Sequence, residues 1–357
     1  MIKRTKWMVA LTALLAVIVS FGLLGCDSDS STEEGYVGNG GNNDPITVVW
    51  YPNESSTDYE PARDEFGRLI TEATGRPVEH MLTTDYVIAL EAVGSGSADI
   101  GAMFGAVGLI EIQQRNPEVG VLFADSGPSG TLDDAVYYSW LIVPEDDAGN
   151  FASGGGYSID NIEDQRMSFV SNSSTSGFVV PSSAIISHFG GSADWPNMDE
   201  DDLIGPSANF FSEVLFGQSH QGSGFNVVSG RADVGAVADI LMEPYFMLVS
   251  GDANAVGAVY EVRETAGAPF DTVPGERITL IESIPVLNGP YVYNPANLSA
   301  EEIEAIIEIF TTDEVANNPL FFATEDGATA FYSKSDNERF IRVDSSWYDP
   351  VREMMNR

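Results

Sequence analysis

Short apolar runs alternate with amphipathic stretches through most of this chain. Ile46–Pro52, Pro77–Leu82, Ala98–Phe104 and Val119–Asp125 are brief, apolar and bounded by turn residues, so they predict strands. Between them, Glu60–Thr74 carries Phe66, Leu69, Ile70 and Ala73 on one helical face and stops before Gly75. Tyr86–Val93, with Asp85 as its N-cap, and Leu109–Arg115 are the next two helices. This order predicts an α/β lobe built on a largely parallel sheet.

A longer strand, Tyr137–Pro144, is expected to carry the chain into a second lobe. There the pattern predicts a strand ending in Met-Ser-Phe-Val (167–170), a helix Phe178–Phe189, an acidic loop Trp195–Pro206, a short helix Gly224–Ser229 and a strand Ala232–Asp239. Gly94–Phe104 and Ser229–Asp239 share Ala-Asp-[Ile/Val]-Gly-Ala, each after a helix and each entering a strand. Five small residues can coincide by chance; the other reading is two lobes of similar build, with Asp99 and Asp233 structural. Ile278–Val286 and the Pro-Tyr-Val-Tyr that follows read as a strand returning to the first lobe. A helix Ala300–Phe310 capped by Ser299 and a closing helix Asp344–Met355 complete the chain. The expected partition is residues 45–138 and 277–357 in one lobe and 139–276 in the other. Two crossings between lobes make a natural hinge.

Between the strand at 167–170 and the helix at 178 lies Ser-Asn-Ser-Ser-Thr-Ser-Gly, residues 171–177. The first N–H groups of a helix lack partners inside it and carry partial positive charge, so a hydroxyl-rich turn at such a point makes an anion pocket. Ser174, Thr175 and Ser176 add neutral donors, and Gly177 admits a ligand close to the backbone. The plainer alternative is a Ser/Thr N-cap with a polar loop. Pro181 sits deep for a first-turn proline. Because ligands of open α/β sheets lie beyond the carboxyl ends of strands, Phe104, Asp239 and Ser174–Ser176 are expected around one cleft.

Lys3, Arg4 and Lys6 precede an apolar run from Trp7 to Leu24 that ends Leu-Leu-Gly-Cys. This describes a secretory signal over residues 1–25, with Cys26 placed as in a bacterial lipobox; the alternative is an uncleaved membrane anchor. Lipidation of Cys26 would hold the protein at the membrane surface. Residues 26–44, polar and rich in Gly, Asn and Ser, read as a flexible tether. Cys26 is the single cysteine, so no disulfide forms within one chain.

The formal net charge is −38, and Lys334 is the only lysine beyond the leader. Self-repulsion on that scale destabilises a compact chain unless salt screens it, which suggests a salt-adapted source; attraction of cations is the alternative. Nucleic-acid binding is disfavoured without basic stretches. Enzymatic signatures are missing as well. Gly217-Gln218-Ser219-His220-Gln221 lacks the last glycine of a nucleophile elbow, the glycines near Ser153 have no following lysine, and the histidines, three in all, form no metal-binding helix motif. Neither a cofactor nor a metal is expected.

These residues together resemble the PhnD-like substrate-binding proteins of phosphonate and phosphite ABC importers. The resemblance rests on the lipoprotein signal, Asp85-Tyr86 opening a helix, the Ala-Asp-Ile strand, Ser-His at 219–220 and Gly-Arg-Ala-Asp-Val-Gly-Ala-Val at 230–237. Ser-Thr-Ser-Gly-Phe-Val-Val-Pro at 174–181 is its most specific part. It implies a two-lobed, periplasmic-binding-protein type II fold and a monomer that captures a phosphonate, phosphite or phosphate for a membrane permease. It also implies ligand contacts from Ser174, Thr175, Ser176, Tyr86 and His220, with Phe104 in place of a family aromatic and Asp239 as the acid that accepts a hydrogen bond from a ligand P–OH or ammonium group. His220 has the alternative of capping local backbone, and Tyr86 that of an ordinary amphipathic-helix residue. Sulfonate or thiamine-precursor binding stays open, because Trp50, Tyr51, Tyr137, Tyr138 and Trp140 are enough aromatics for a larger pocket; so does a ligand sensor on the same fold.

Overall fold

A computed structural model describes residues 44–54 and 56–355; the expected leader, Cys26 and the tether up to residue 43 lie outside the described residues. The first lobe opens with β1 (Ile46–Trp50), α1 (Glu60–Thr74), β2 (Val78–Leu82), α2 (Tyr86–Ser95), β3 (Ile100–Ala102), α3 (Ala106–Arg115) and β4 (Gly120–Asp125). β1 pairs in parallel with both β2 and β3. The chain then enters a second sheet through β5 (Val136–Pro144), a small hairpin of β6 (Ala152–Ser153) and β7 (Gly156–Tyr157), and β8 (Arg166–Phe169). It continues through α4 (Val180–Phe189), α5 (Glu200–Ile204), β9 (Glu213–Phe216), α6 (His220–Val228) and β10 (Val234–Ala238). A short α7 (Asp239–Met242) and the strands β11 (Phe246–Ser250), β12 (Val259–Val262) and β13 (Arg277–Leu287) complete that half. The return consists of β14 (Pro290–Tyr293), α8 (Ala300–Phe310), α9 (Asp313–Ala316), the paired β15 (Phe322–Ala323) and β16 (Tyr332–Ser333), β17 (Phe340–Ile341) and α10 (Asp349–Met355).

Two sheets result, one of order β17-β4-β14-β3-β1-β2 and one of order β11-β12-β13-β5-β10-β8-β9. This is the two-lobed α/β architecture, although each sheet is mixed rather than largely parallel. β14 inserts antiparallel between β3 and β4, and β5 lies antiparallel beside β10. Each lobe thus receives, next to its Ala-Asp-x-Gly-Ala strand, a strand that has just come from the other half. The strand expected to return the chain to the first lobe stays in the second sheet: β13 pairs with β5 from Ile278 against Pro144 to Leu287 against Val136, and the return begins at Pro290. Its apolar run is long because both faces of a central strand are covered. Helical readings shift as well. α6 starts at His220, because Ser219 accepts the Gly222 N–H; a helix, α5, forms inside the expected acidic loop under Asp199; and the closing helix is a tight turn over Ser345–Tyr348 followed by α10.

Alternation along β1 shows how the first lobe is packed. Val48 and Trp50 face a cluster with Phe66 of α1, Phe123, Tyr291 and Phe310 of α8, whereas Val49 faces α2, α3 and Tyr348. The second sheet is likewise covered on both faces, by clusters around Trp140 and Phe270 and around Phe169 and Phe210. The two crossings are clasped together. Asn288 donates its N–H to Ala135 O (3.1 Å) and its Nδ2 to Asp125 Oδ2 (2.6 Å), and Tyr348 Oη donates to Asn288 O (3.1 Å).

The repeated motif has one job in both lobes. Asp99 donates its N–H to Thr47 O (2.9 Å) and accepts the Thr47 N–H on Oδ2 (2.8 Å). Asp233 makes the same pair with Arg166, at 2.9 Å in each direction. Each carboxylate satisfies the N–H at the start of a neighbouring parallel strand, so the two lobes are of similar build. Asp99→Ala strands a part-buried N–H and is expected to cost about 1–3 kcal/mol in chemical denaturation, with Asn297 losing its own bond to Oδ1.

Candidate functional site

The carboxyl ends of the parallel strands face each other across the clasp, and a cavity of about 50 Å³ lies between them. The first lobe lines it with Asn53, Glu54, Tyr86, Phe104 and Asp125, and the second with Tyr137, Ser174, Thr175, Ser176 and His220. Among these lining residues there is no Lys or Arg. Positive potential comes from helix starts instead: α2 at Tyr86, α3 at Ala106, α6 at His220 and the turn at Thr175 that leads into α4.

The Ser/Thr turn owes its shape to Pro181. Having no N–H, Pro181 cannot bond back to Gly177 O, which is free to accept the Val170 N–H (3.1 Å). The turn therefore widens to a five-residue spacing, with Val179 N–H on Ser174 O (3.0 Å), and α4 begins only at Val180, so Pro181 sits in its first turn. Ser174 Oγ accepts the Gly177 N–H (3.1 Å), leaving its own O–H to donate. Gly177 does not line the cavity as expected. A Cβ there would come within 2.3 Å of Val170, so the glycine serves the close approach of turn and strand.

His220 is buried, and its Nδ1 accepts the Ala238 N–H (2.8 Å), so the ring proton resides on Nε2, 3.5 Å from Ser174 Oγ. Burial pulls its pKa down to about 3, so His220 is a neutral donor rather than a cation. Tyr86 Oη accepts from Asn53 Nδ2 (2.7 Å), and Tyr86 lines the cavity together with Ser174, Ser176 and Tyr137. Phe104 lines the cavity edge and stacks flat on Tyr51 at 4.3 Å, which stacks on Tyr86 at 4.0 Å; it contributes an apolar wall with no hydroxyl. The loops before α3 and α6 each hold a non-glycine residue in the left-handed region, Met103 (φ 56°) and Gln218 (φ 63°), a strain common where a loop is shaped around a site.

Asp239 is the one expected ligand-contacting side chain among the described residues that falls outside this cavity. Ala238, Ile240 and Leu241 line it, while Asp239 starts α7 facing a broader neighbouring cleft of about 710 Å³, its Oδ1 taking the Tyr138 N–H (2.8 Å). The strand ends at Ala238 and α7 begins at Asp239, and its carboxylate lines the neighbouring cleft instead. In its place stand two acids that the pattern did not single out, Glu54 and Asp125. The crevice rule could have found them, since both sit at or just beyond the carboxyl end of a first-lobe strand.

The lobes meet through direct hydrogen bonds. The His220 N–H donates to Asn53 Oδ1 (3.0 Å), the Val107 N–H at the start of α3 to Thr175 Oγ1 (3.0 Å), and Ser173 Oγ to Glu111 Oε2 (3.0 Å). A Cβ on Gly105 would come within 2.4 Å of Thr175 Oγ1, so the contact is close.

Burial raises Glu54, Asp125 and Asp239 to about 8 each. All three are protonated in the fold and ionised in the unfolded chain between the ordinary carboxylate range and about pH 8. The stability they support is complete below that range and is lost as pH rises through about 8. Thermal denaturation in high salt should give a lower midpoint at about pH 9 than at about pH 6; a higher one at pH 9 would contradict this electrostatic picture.

Comparison with known proteins adds family evidence. The family described as "ABC transporter, phosphonate, periplasmic substrate-binding protein" matches residues 48–348. The phosphate-import protein PhnD of Mycolicibacterium smegmatis is 22% identical over 98% of this chain and 95% of its own length. Among solved structures, PhnD1 from Prochlorococcus marinus in complex with methylphosphonate superposes with a TM-score of 0.61 at 16% identity, covering 88% of this chain and 98% of that one. A binding-protein component of an ABC phosphonate transporter from Pseudomonas aeruginosa gives 0.60 at 20% identity, covering 87% and 85%.

Proposed function

This chain belongs to the periplasmic phosphonate substrate-binding proteins of ABC transporters, and we propose that it holds a small phosphorus oxyanion in the cavity between its lobes and hands it to a permease. The observation that carries the reading is a buried cavity whose donors are all neutral: the Ser174, Thr175 and Ser176 hydroxyls, the Tyr86 phenol, the His220 Nε2–H and the N–H groups of converging helix starts. Such donors take an anion out of water without a buried counter-charge. Capture rather than catalysis is the assigned role.

The size of the cavity supports a compact ligand such as phosphate, phosphite or methylphosphonate. Of the aromatics that could widen it, Tyr51 and Tyr137 line the cavity, Tyr138 and Trp140 the neighbouring cleft, and Trp50 lies in the first-lobe core. Cleavage before Cys26, its lipidation and a tether up to residue 44 would hang the binding body, as a monomer, outside the cell membrane; among the described residues no helix is long and apolar enough to cross one. The net charge of −38 supports a high-salt setting.

Purified protein in high salt, heated with phosphate, phosphite, methylphosphonate, sulfate and an organic sulfonate, should be stabilised by at least one phosphorus oxyanion. At 100 times Kd the gain is about 2.7 kcal/mol. A shift with the sulfonate alone would oppose the reading. Ser174→Ala removes a donor to a charged ligand and should weaken binding by roughly ten- to a hundredfold, measured by calorimetry.

A further inference from the structure

We propose that Glu54 is a ligand-contacting residue whose Oε2 shares a single proton with an oxygen of the bound phosphorus oxyanion, an inference that rests on the reading above. Glu54 is 1% exposed, it lines the cavity, and its Oε2 is buried with no hydrogen-bond partner. A buried carboxyl oxygen left without a partner is costly, and it persists where a ligand completes it. Among the described residues no ion pair relieves Glu54 either, and Arg63, the cation that acts on it, spends its Nη1 on the main-chain oxygens of Glu54 and Ser56.

The chemistry follows from the charges. An ionised carboxylate beside a bound anion repels it, whereas a carboxylic acid donates to it. Burial already holds the Glu54 proton up to about pH 8, and an anion in the cavity holds it further. Below about pH 8 the free protein brings the proton itself; above it, ligand and proton must bind together. The groups that feel Glu54 from the elements around it are Arg63, which burial lowers from an ordinary value far above this window, and the phenols of Tyr51, Tyr59, Tyr86, Tyr245, Tyr291 and Tyr332, which burial pushes further above it. In the cavity His220 titrates near 3, well below it. Asp125, at about 8, is the one competitor, and its Oδ2 is engaged by Asn288 Nδ2 (2.6 Å).

The test is calorimetric titration with phosphite, already a dianion in this window, on the full exported chain from about pH 7.5 to about pH 9.5. The unaltered protein should lose roughly tenfold in affinity per pH unit above about 8 and take up close to one proton per ligand there, read from buffers of different ionisation heat. Glu54→Gln, whose amide still donates, should bind with a flat profile, while Asp125→Asn keeps the slope. A flat profile or no proton uptake in the unaltered protein overturns the proposal, and needs no variant. So does a folded Glu54→Gln protein that keeps the slope or fails to bind, or a slope removed by Asp125→Asn alone. Should the unaltered protein bind no phosphorus oxyanion at any pH, the ligand assignment itself falls and takes this proposal with it.

Discussion

Burying an anion without a buried cation is the constraint around which this molecule is arranged. Water solvates a small oxyanion strongly, and a cavity closed from water must replace that solvation with fixed donors. Here the donors are N–H and O–H groups gathered where α2, α3, α6 and the turn into α4 begin. Each start is held by local chemistry. Asp85 caps α2, Ser219 caps α6, and Thr175 from the opposite lobe accepts the Val107 N–H of α3. Donors held this way need little reorganisation when a ligand arrives, which is the advantage of building a site on helix ends.

The architecture supplies that arrangement twice. Both sheets present parallel strands whose carboxyl ends point at the cleft, and both are anchored by an aspartate that satisfies the neighbouring strand, Asp99 in one and Asp233 in the other. Each lobe contributes an incomplete half of the donor set, so capture requires the halves to meet. The clasp of Asn288 on Asp125 and Ala135 ties the two crossings close to the cavity. The Thr175 turn and His220 meet Val107 and Asn53 on the cavity side of that clasp.

Acids at an anion site are less contradictory than the formal charge suggests. In a chain of net charge −38 most carboxylates are solvated, but Glu54 and Asp125 are not, and burial keeps them neutral over the physiological range. A neutral acid adds a donor, and it resists a second negative charge. The site therefore responds to the proton content of the protein–ligand pair as well as to ligand shape.

By itself the sequence determined the local structure: the alternation that makes two α/β lobes, the caps at Asp85 and Ser299, and the Ser/Thr turn before a helix. These depend on neighbours within a few positions, and patterns of that range are visible in a string of residues. Tertiary structure decided what depends on pairing and on angle. β13 stays in the second sheet because β5 is its partner over their length, which no run of apolar residues records. Asp239 leaves the cavity because α7 starts at that very residue, whereas Glu54, in a turn with no periodic signal, enters it. Ser174 and His220, 46 positions apart, become neighbours through two helices and one strand, and the His220 tautomer is set by a single N–H from Ala238. Side-chain direction and protonation are set by burial and by partners distant in the chain, and these exist only once it has folded.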